Sequence, residues 1–144
     1  MAGAEDNVGT PGGYDTWAAT VPMAIRGDRL WRVEAYRSAL YACDVAWRDL
    51  SRLGRDWRTR SLTDQLHRAV GSVSANVAEG FSRGTGRDRA LFYQYALGSA
   101  REARDWYYKG RHIPGQEVLE HRLELLTSII RLLLTMVPDQ REHR

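Results

Sequence analysis

The sequence predicts an all-α protein, an up-down-up-down antiparallel four-helix bundle. Four segments of roughly 20 residues place apolar side chains three or four positions apart, which is the period of an amphipathic helix. Short segments containing Gly, Pro or clustered charges separate them, and no strand-like alternation of comparable length competes. Four helices joined by short links favour a bundle in which successive helices run antiparallel.

The first helix is expected over residues 28–50, with the side chain of Asp28 capping its start. Its apolar and aromatic positions follow the helical period, and they include Leu30, Val33, Tyr36, Leu40, Tyr41 and Trp47. Residues 51–60 interrupt this pattern with Gly54 and several charged side chains. They are therefore predicted to form the first connection.

The second helix begins at Ser61 or Thr63, either of which can cap its first turn. Its inward-facing positions are Leu62, Leu66, Ala69, Val70, Val73, Asn76, Val77 and Gly80. The third helix starts at Thr85 or Asp88 and continues to about Lys109, with aromatic and small residues on its periodic positions.

The fourth helix has the widest apolar face, which extends from Val118 to Leu134. Gly110 and Pro114 mark the turn before it. Pro138 is expected to end it, because proline removes a helical hydrogen bond and clashes with the preceding turn.

The domain organisation follows from these helices. Residues 1–27 contain five glycines and little periodicity, so they are predicted to be a flexible N-terminal tail, in which Trp17 and Val21 can dock on a partner. Residues 28–138 form the four-helix bundle, and residues 139–144 form a short C-terminal tail. A chain of 144 residues fits one such domain.

Several function classes are disfavoured by composition and motifs. No apolar run approaches the roughly 20 residues that span a bilayer, and no secretory signal precedes the fold, so we expect a cytoplasmic protein without a membrane partner. Cys43 is the only cysteine, which excludes an intrachain disulfide. The four histidines lack metal-ligand spacing, and we find no catalytic motif. The sequence therefore predicts no cofactor, no metal site and no catalytic residue.

Positive charge is concentrated in the middle of the chain. Residues 48–111 carry thirteen Arg and Lys against seven Asp and Glu, whereas the segments on either side are weakly negative. All basic residues except Lys109 are arginines, whose planar guanidinium binds phosphate or carboxylate through two parallel hydrogen bonds. The pattern favours a partner rich in phosphate or carboxylate groups.

The connections between helices one and two and between helices three and four fall at the same end of such a bundle. Basic and aromatic residues of both segments would then form one nucleic-acid-binding surface, made of Arg48, Arg52, Arg55, Trp57, Arg58, Arg60, Arg104, Lys109 and Arg111. Two alternatives stay open: the same residues can bind an acidic protein partner, or they can simply solvate the surface around aromatic core residues.

The segment SVSANVAEG, residues 72–80, combines small side chains with Asn76 and Glu79 on one face of the second helix. Small residues allow another helix to approach closely, and Asn76 and Glu79 are expected to form a polar network inside the bundle, satisfied by Ser99, Tyr95 or backbone groups, that fixes helix register. An enzyme using Glu79 and Glu102 as a carboxylate pair is the minor alternative, since neither has the Glu-x-x-His spacing of bundle metal sites.

Three longer segments carry a resemblance to a known family. SVSANVAEGFSRG, separated by ten residues from YALGSARE and preceded by LTDQLHRAVG, is similar to the four-helix-bundle proteins first noticed as reading frames in intervening sequences of bacterial 23S rRNA genes. The resemblance covers roughly residues 28–136. The motif positions that match are Ser72, Asn76, Glu79, Gly80, Arg83, Gly98, Ser99 and Glu102.

The resemblance implies a homopentameric, ring-shaped assembly of four-helix bundles. The family also resembles the accessory variability determinant of diversity-generating retroelements, a basic pentamer that binds a reverse transcriptase and nucleic acid. It implies a non-catalytic protein that binds RNA or DNA, and a reverse transcriptase as a further partner. The sequence departs from the family pattern at Ser74, where proline is frequent, and at WYYKGR, residues 106–111, which replaces a more aliphatic segment.

Overall fold

The computed structural model describes residue 10 and residues 12–142, and within that part of the chain every regular element is helical. The helices are α1 (Gly13–Thr20), α2 (Met23–Arg26), α3 (Glu34–Arg55), α4 (Arg60–Phe81), α5 (Gly86–Lys109) and α6 (Gln116–Glu142), with a 3-10 turn at Arg29–Arg32 between α2 and α3. The predicted all-α class is confirmed.

The four long helices pack in chain order around one core. Helix α4 lies against α3 and α5, α5 lies against α6, and α6 also contacts α3. Alanine supplies four of the eight buried positions of α3 and four of the seven of α5, whereas Leu, Ile and Val supply most of those of α4 and α6. Large side chains from two helices therefore fill the space left by small ones on the other two, which gives the close packing of a protein interior.

Gly80, the last residue of the SVSANVAEG segment, lies so close to α5 that a larger residue does not fit. A Cβ at this position would lie 2.8 Å from Cε1 of Tyr93 and 3.0 Å from Cβ of Phe92, so only glycine lets α4 approach α5 here. Gly71 and Gly98 differ, because a Cβ at either would meet nothing within 4 Å. Among these three glycines, only Gly80 is required by the close approach of the two helices.

The flexible tail predicted over residues 1–27 is wrong for the portion from residue 12 onward, and the prediction for residues 1–9 lies outside the described part of the chain. Helix α1 packs on α3, where Trp17 and Val21 are buried with Tyr41 and Val45. The Trp17 indole donates a 2.5 Å hydrogen bond to Oδ2 of Asp44. Aromatic burial stabilises this short helix, which its weak periodicity did not indicate.

The first long helix starts and ends later than expected. The Asp28 side chain accepts a hydrogen bond from the backbone N–H of Leu30, but it caps the 3-10 turn, and α3 begins only at Glu34. Helix α3 then continues through the predicted connection to Arg55, leaving residues 56–59 as the link to α4. The charged residues at 51–55 are compatible with a helix whose one face stays exposed.

Pro138 does not end the last helix, which continues to Glu142. The predicted C-terminal tail is therefore helical over residues 139–142, and residues 143–144 lie outside the described range. Val137 is buried, and Nε of Arg89 donates a 2.6 Å hydrogen bond to Oε1 of Gln140. These contacts hold the final turn in place although proline supplies no N–H to it.

No helix in the described residues combines the length and the apolar character that crossing a membrane requires.

Candidate nucleic-acid interface

The α3–α4 and α5–α6 connections meet at one end of the molecule, as predicted. A Cβ at Gly110 would lie 3.0 Å from Cδ2 of Leu53 and 3.6 Å from Cδ1 of Leu62, so the start of the second connection rests on the helix ends that flank the first. Arg52 and Pro114 line a common small cavity across this junction. We call the surface formed by residues 48–60 and 104–112 the arginine end.

Three arginines of this surface are exposed and have no partner carboxylate among the described residues: Arg52, Arg55 and Arg60. Arg52 and Arg55 lie in the last turn of α3, and Arg60 is the first residue of α4. Arg48 is also exposed and lies one turn before Arg52 on α3. The structure therefore brings these four predicted residues to one side of the same end.

The link between α3 and α4 is a rigid turn. The Asp56 carboxylate accepts hydrogen bonds from the Arg58 backbone N–H at 2.9 Å and from its guanidinium at 2.8 and 3.0 Å. These bonds lower the pKa of Asp56 to about 2, so its charge persists throughout the neutral range. The Thr59 hydroxyl donates a 2.5 Å bond to the Leu53 carbonyl and is buried. Arg58 is thus partly neutralised inside the turn.

The same turn carries Trp57, whose side chain is 79% exposed. It is the most exposed large apolar residue in the described part of the chain. The bonds made by Asp56 and Thr59 fix its backbone, while its indole takes no part in the core.

The α5–α6 side of the arginine end holds two cations that stack on aromatic rings. The Arg111 guanidinium lies 4.3 Å from the ring centroid of Tyr108, and the Lys109 ammonium lies 4.6 Å from that of Trp106. Lys109 also forms a 2.7 Å ion pair with Asp105. Both cations remain at the surface, although Lys109 already has a carboxylate partner.

Arg104 is placed differently from the expectation. It is half-buried, and its NH1 donates a 3.1 Å hydrogen bond to Oγ1 of Thr127 on α6. Because this bond ties α5 to α6, Arg104 is a packing residue at the edge of the arginine end rather than part of an open surface.

A buried ion pair lies beneath the arginine end, and the sequence reasoning missed it. Arg122 donates to Oδ2 of Asp49 at 2.7 Å and to Oδ1 at 3.1 Å, and the Tyr107 hydroxyl donates to Oδ2 at 2.6 Å. Arg122 NH1 also contacts Nδ1 of His121 at 2.7 Å. We call these four residues the buried Asp49 cluster. It joins α3, α5 and α6 in the interior.

Burial explains the titration behaviour of the cluster. Desolvation, reinforced by the charge of Asp49, raises the pKa of Tyr107 well above its ordinary value. Desolvation and the neighbouring Arg122 lower the pKa of His121. Tyr107 therefore stays a neutral hydroxyl that donates to Asp49, and His121 favours its neutral ring.

A sequence signal for this cluster was available. Arg122 lies three residues after Leu119 and four before Leu126, so it occupies an inward position of α6. Asp49 similarly falls between the buried positions Ala46 and Leu53 of α3. A charged residue on a core stripe is buried only with a partner, which predicts that the two lie together.

The network expected between helices does not form: within the described residues Asn76 bonds to a backbone group, and neither Asn76 nor Glu79 bonds to Ser99 or Tyr95. Nδ2 of Asn76 donates 2.8 Å to the carbonyl of Ser72 in its own helix, and the Ser72 hydroxyl likewise bonds the Arg68 carbonyl at 2.8 Å. Glu79 is exposed and forms an ion pair with Arg83 one turn later. These polar side chains therefore bond to residues four positions away in the chain and not to another helix.

The carboxylate pair needed for the enzyme alternative does not form. Gly80 lies against Tyr93, so Glu79 is level with that part of α5, whereas Glu102 is nine residues further along, about 13 Å at the helical rise. Glu102 instead accepts a 3.2 Å hydrogen bond from the Trp106 indole, and the motif residues Gly98 and Ser99 lie near it without joining Glu79. Within the described residues no cluster of His, Cys, Asp and Glu is suited to a metal ion.

Comparison with known proteins agrees with the helical architecture. The sequence profile of the 23S rRNA-intervening sequence protein family matches residues 32–135. A solved structure of a protein of unknown function from the S23 ribosomal protein family of Bacteroides thetaiotaomicron superposes with a TM-score of 0.67 at 19% identity, covering 72% of this chain and 97% of that chain. This likeness shows the fold alone. No curated protein matches. Since the profile spans well over half of the sequence, the chain belongs to the 23S rRNA-intervening sequence protein family.

Proposed function

We propose that this member of the 23S rRNA-intervening sequence protein family is a non-catalytic protein that binds nucleic acid through the arginine end. The observation that supports the proposal is that the ends of α3, α4 and α5, which carry exposed arginines and exposed aromatic rings, come together at one end of the molecule. Arginine forks bind phosphate oxygens through parallel hydrogen bonds, and aromatic rings contact bases.

The local charge supports this partner. Residues 48–60 and 104–111 contain eight Arg and Lys and three Asp. Asp49 is neutralised internally by Arg122, and Asp56 and Asp105 each hold one surface cation. The remaining field is strongly positive, and a polyanion that releases counterions on contact is the partner such a field favours.

We further propose that the four long helices act as an antiparallel bundle within a homopentameric ring, which would bring five arginine ends into one assembly, and that a reverse transcriptase is a protein partner. The family resemblance supports both proposals. Leu91 and Tyr95, exposed one turn apart on α5, offer an apolar stripe for a contact between copies. A solution mass of five times the 16.4 kDa chain is expected from sedimentation equilibrium, and a monomeric mass would contradict the ring.

The test of nucleic-acid binding is a triple substitution, Arg52→Gln, Arg55→Gln and Arg60→Gln. These residues have no carboxylate partner in the described structure, so the change removes charge without breaking an ion pair. We expect affinity for a fluorescent 20-nucleotide RNA or DNA, measured by anisotropy, to fall at least tenfold.

The matched control is Arg29→Gln, Arg87→Gln and Arg131→Gln, which neutralises three exposed arginines outside the arginine end. We expect it to keep most of the affinity. Equal losses in the two variants would mean that net charge alone attracts the oligonucleotide. An absence of binding by the wild-type protein, together with capture of an acidic protein that survives nuclease treatment, would replace the proposal with a protein-interaction function.

A further inference from the structure

We infer that the arginine end takes single-stranded nucleic acid, with Trp57 and Tyr108 as the surfaces on which unpaired bases stack. The inference rests on the proposed function and deepens it, because it names the form of nucleic acid that the surface selects. Two independently positioned rings support it: Trp57 lies on the α3–α4 connection, and Tyr108 lies in the last turn of α5 at the same end of the molecule.

Trp57 presents its indole ring to solvent, where a binding partner can contact it. Its turn is fixed by the bonds from Arg58 to Asp56 and by the buried hydroxyl of Thr59. The indole that this turn presents is 79% exposed and flanked in sequence by Arg55, Arg58 and Arg60. Because these hydrogen bonds already fix the backbone of the turn, binding a partner at Trp57 costs little further backbone conformational entropy.

Tyr108 gives the second ring. It is 54% exposed, and the Arg111 guanidinium stacks on it at 4.3 Å while bonding its backbone carbonyl at 3.2 Å. Its neighbour Tyr107 points inward to Asp49, which anchors this stretch of α5 to the core. A fixed ring with an adjacent guanidinium can stack a base and reach the phosphate next to it.

The form of the nucleic acid follows from the geometry of stacking. In a duplex the faces of the bases are covered by their neighbours, so a protein ring finds a free face only at an end. Unpaired bases expose both faces and stack on aromatic side chains without regard to sequence. Exposed rings among arginines therefore favour a single strand, whereas arginines alone would bind a duplex equally well.

The experiment measures affinity for a 20-nucleotide single strand and for the blunt duplex of the same sequence at equal ionic strength. We expect the wild type to prefer the single strand. Trp57→Ala should lower single-strand affinity about tenfold and leave duplex affinity nearly unchanged, and Trp57→Phe should restore most of the loss because phenylalanine keeps an aromatic face.

Tyr108→Ala is paired with Phe81→Ala as its control. Phe81 is 36% exposed at the last position of α4, about 30 Å along that helix from Arg60. Tyr108→Ala should weaken single-strand binding severalfold, and Phe81→Ala should not. Circular dichroism and thermal melting confirm that each variant is folded.

Three results would overturn the inference. Equal affinity of the wild type for single strand and duplex would leave nucleic-acid binding in place and remove the stacking role. An unchanged single-strand affinity in both Trp57→Ala and Tyr108→Ala would do the same. Failure of the wild type to bind either form would remove the proposed function together with the inference.

Discussion

The buried Asp49 cluster and the arginine end use the same residue types within a few ångströms of each other, yet they do different things. Arg122 is 3% exposed and bound to a carboxylate, whereas Arg52 and Arg55 are exposed and have no such partner among the described residues. Tyr107 and Tyr108 are adjacent in the chain and show the same contrast, because Tyr107 is buried in the core and Tyr108 faces solvent.

This contrast shows how burial divides charged residues into two classes. A buried charge must be paired and hydrogen-bonded, because its desolvation is costly, and it then fixes the positions of the helices that carry it. An exposed charge contributes little to stability, but it remains available to a partner. The Asp49 cluster should therefore control folding, and the arginine end should control binding.

The largest expected effect comes from breaking the buried ion pair between Asp49 and Arg122. Asp49→Asn leaves the Arg122 guanidinium buried without its counterion, and we expect a loss of about 3–5 kcal/mol in the free energy of unfolding. Urea denaturation followed by circular dichroism measures it. Asp105→Asn, which removes the exposed partner of Lys109, is the control and should cost less than about 1 kcal/mol. Similar losses in the two variants would show that burial does not distinguish the pairs.

A smaller effect should appear on acidification. The folded protein has a lowered pKa at His121, so below the ordinary value of 6.5 the unfolded chain takes up a proton before the folded chain does. The stability that the neutral ring provides is complete above pH 6.5 and is lost as the pH falls toward the lowered folded pKa. We expect the melting temperature to decline over this window.

The His121→Gln variant should lose this part of the pH dependence, which thermal melts between pH 7.5 and 5 would detect. His67 is exposed on α4, and His67→Gln is the control that should leave the pH profile unchanged. A wild-type decline that persists in His121→Gln would assign it to other groups.

The smallest expected effect comes from replacing Asp49 together with Arg122 and Tyr107, the two side chains that donate to its carboxylate. Asp49→Leu, Arg122→Met and Tyr107→Phe together replace a satisfied polar group by apolar side chains of similar volume. The free energy of unfolding should stay within about 1 kcal/mol of the wild type, because no charge is left unpaired. Nucleic-acid affinity should also be unchanged. A loss as large as that of Asp49→Asn would mean that the ions themselves stabilise the fold.

The sequence predicts the four long helices well because their apolar faces repeat over many turns. It fails where one or two residues decide the outcome. Helix α1 depends on the burial of Trp17 against Tyr41, a contact between segments that periodicity within either segment does not reveal. Pro138 was expected to end α6, but tertiary contacts of Val137 and Gln140 hold the last turn.

The candidate surface was predictable in part for a similar reason. Short connections between the long helices bring the segments that carry Arg55 and Arg111 to one end, so the order of the helices alone places them. Topology does not show which charged side chains already have a partner in the folded protein. Asp49 and Arg104 lie in the same charged segments as the exposed Arg52 and Arg55. Only the structure shows that Asp49 is buried with Arg122 and that Arg104 bonds to Thr127.

The salt dependence of nucleic-acid affinity tests the central claim most directly. With contacts from Arg48, Arg52, Arg55, Arg60 and Arg111, the logarithm of the association constant for a single strand should fall with the logarithm of salt concentration with a slope of about −3.5. The variant lacking Arg52, Arg55 and Arg60 should reduce that slope by about 2. An affinity that does not depend on salt, or an identical slope in the wild type and the variant, would contradict nucleic-acid binding by the arginine end.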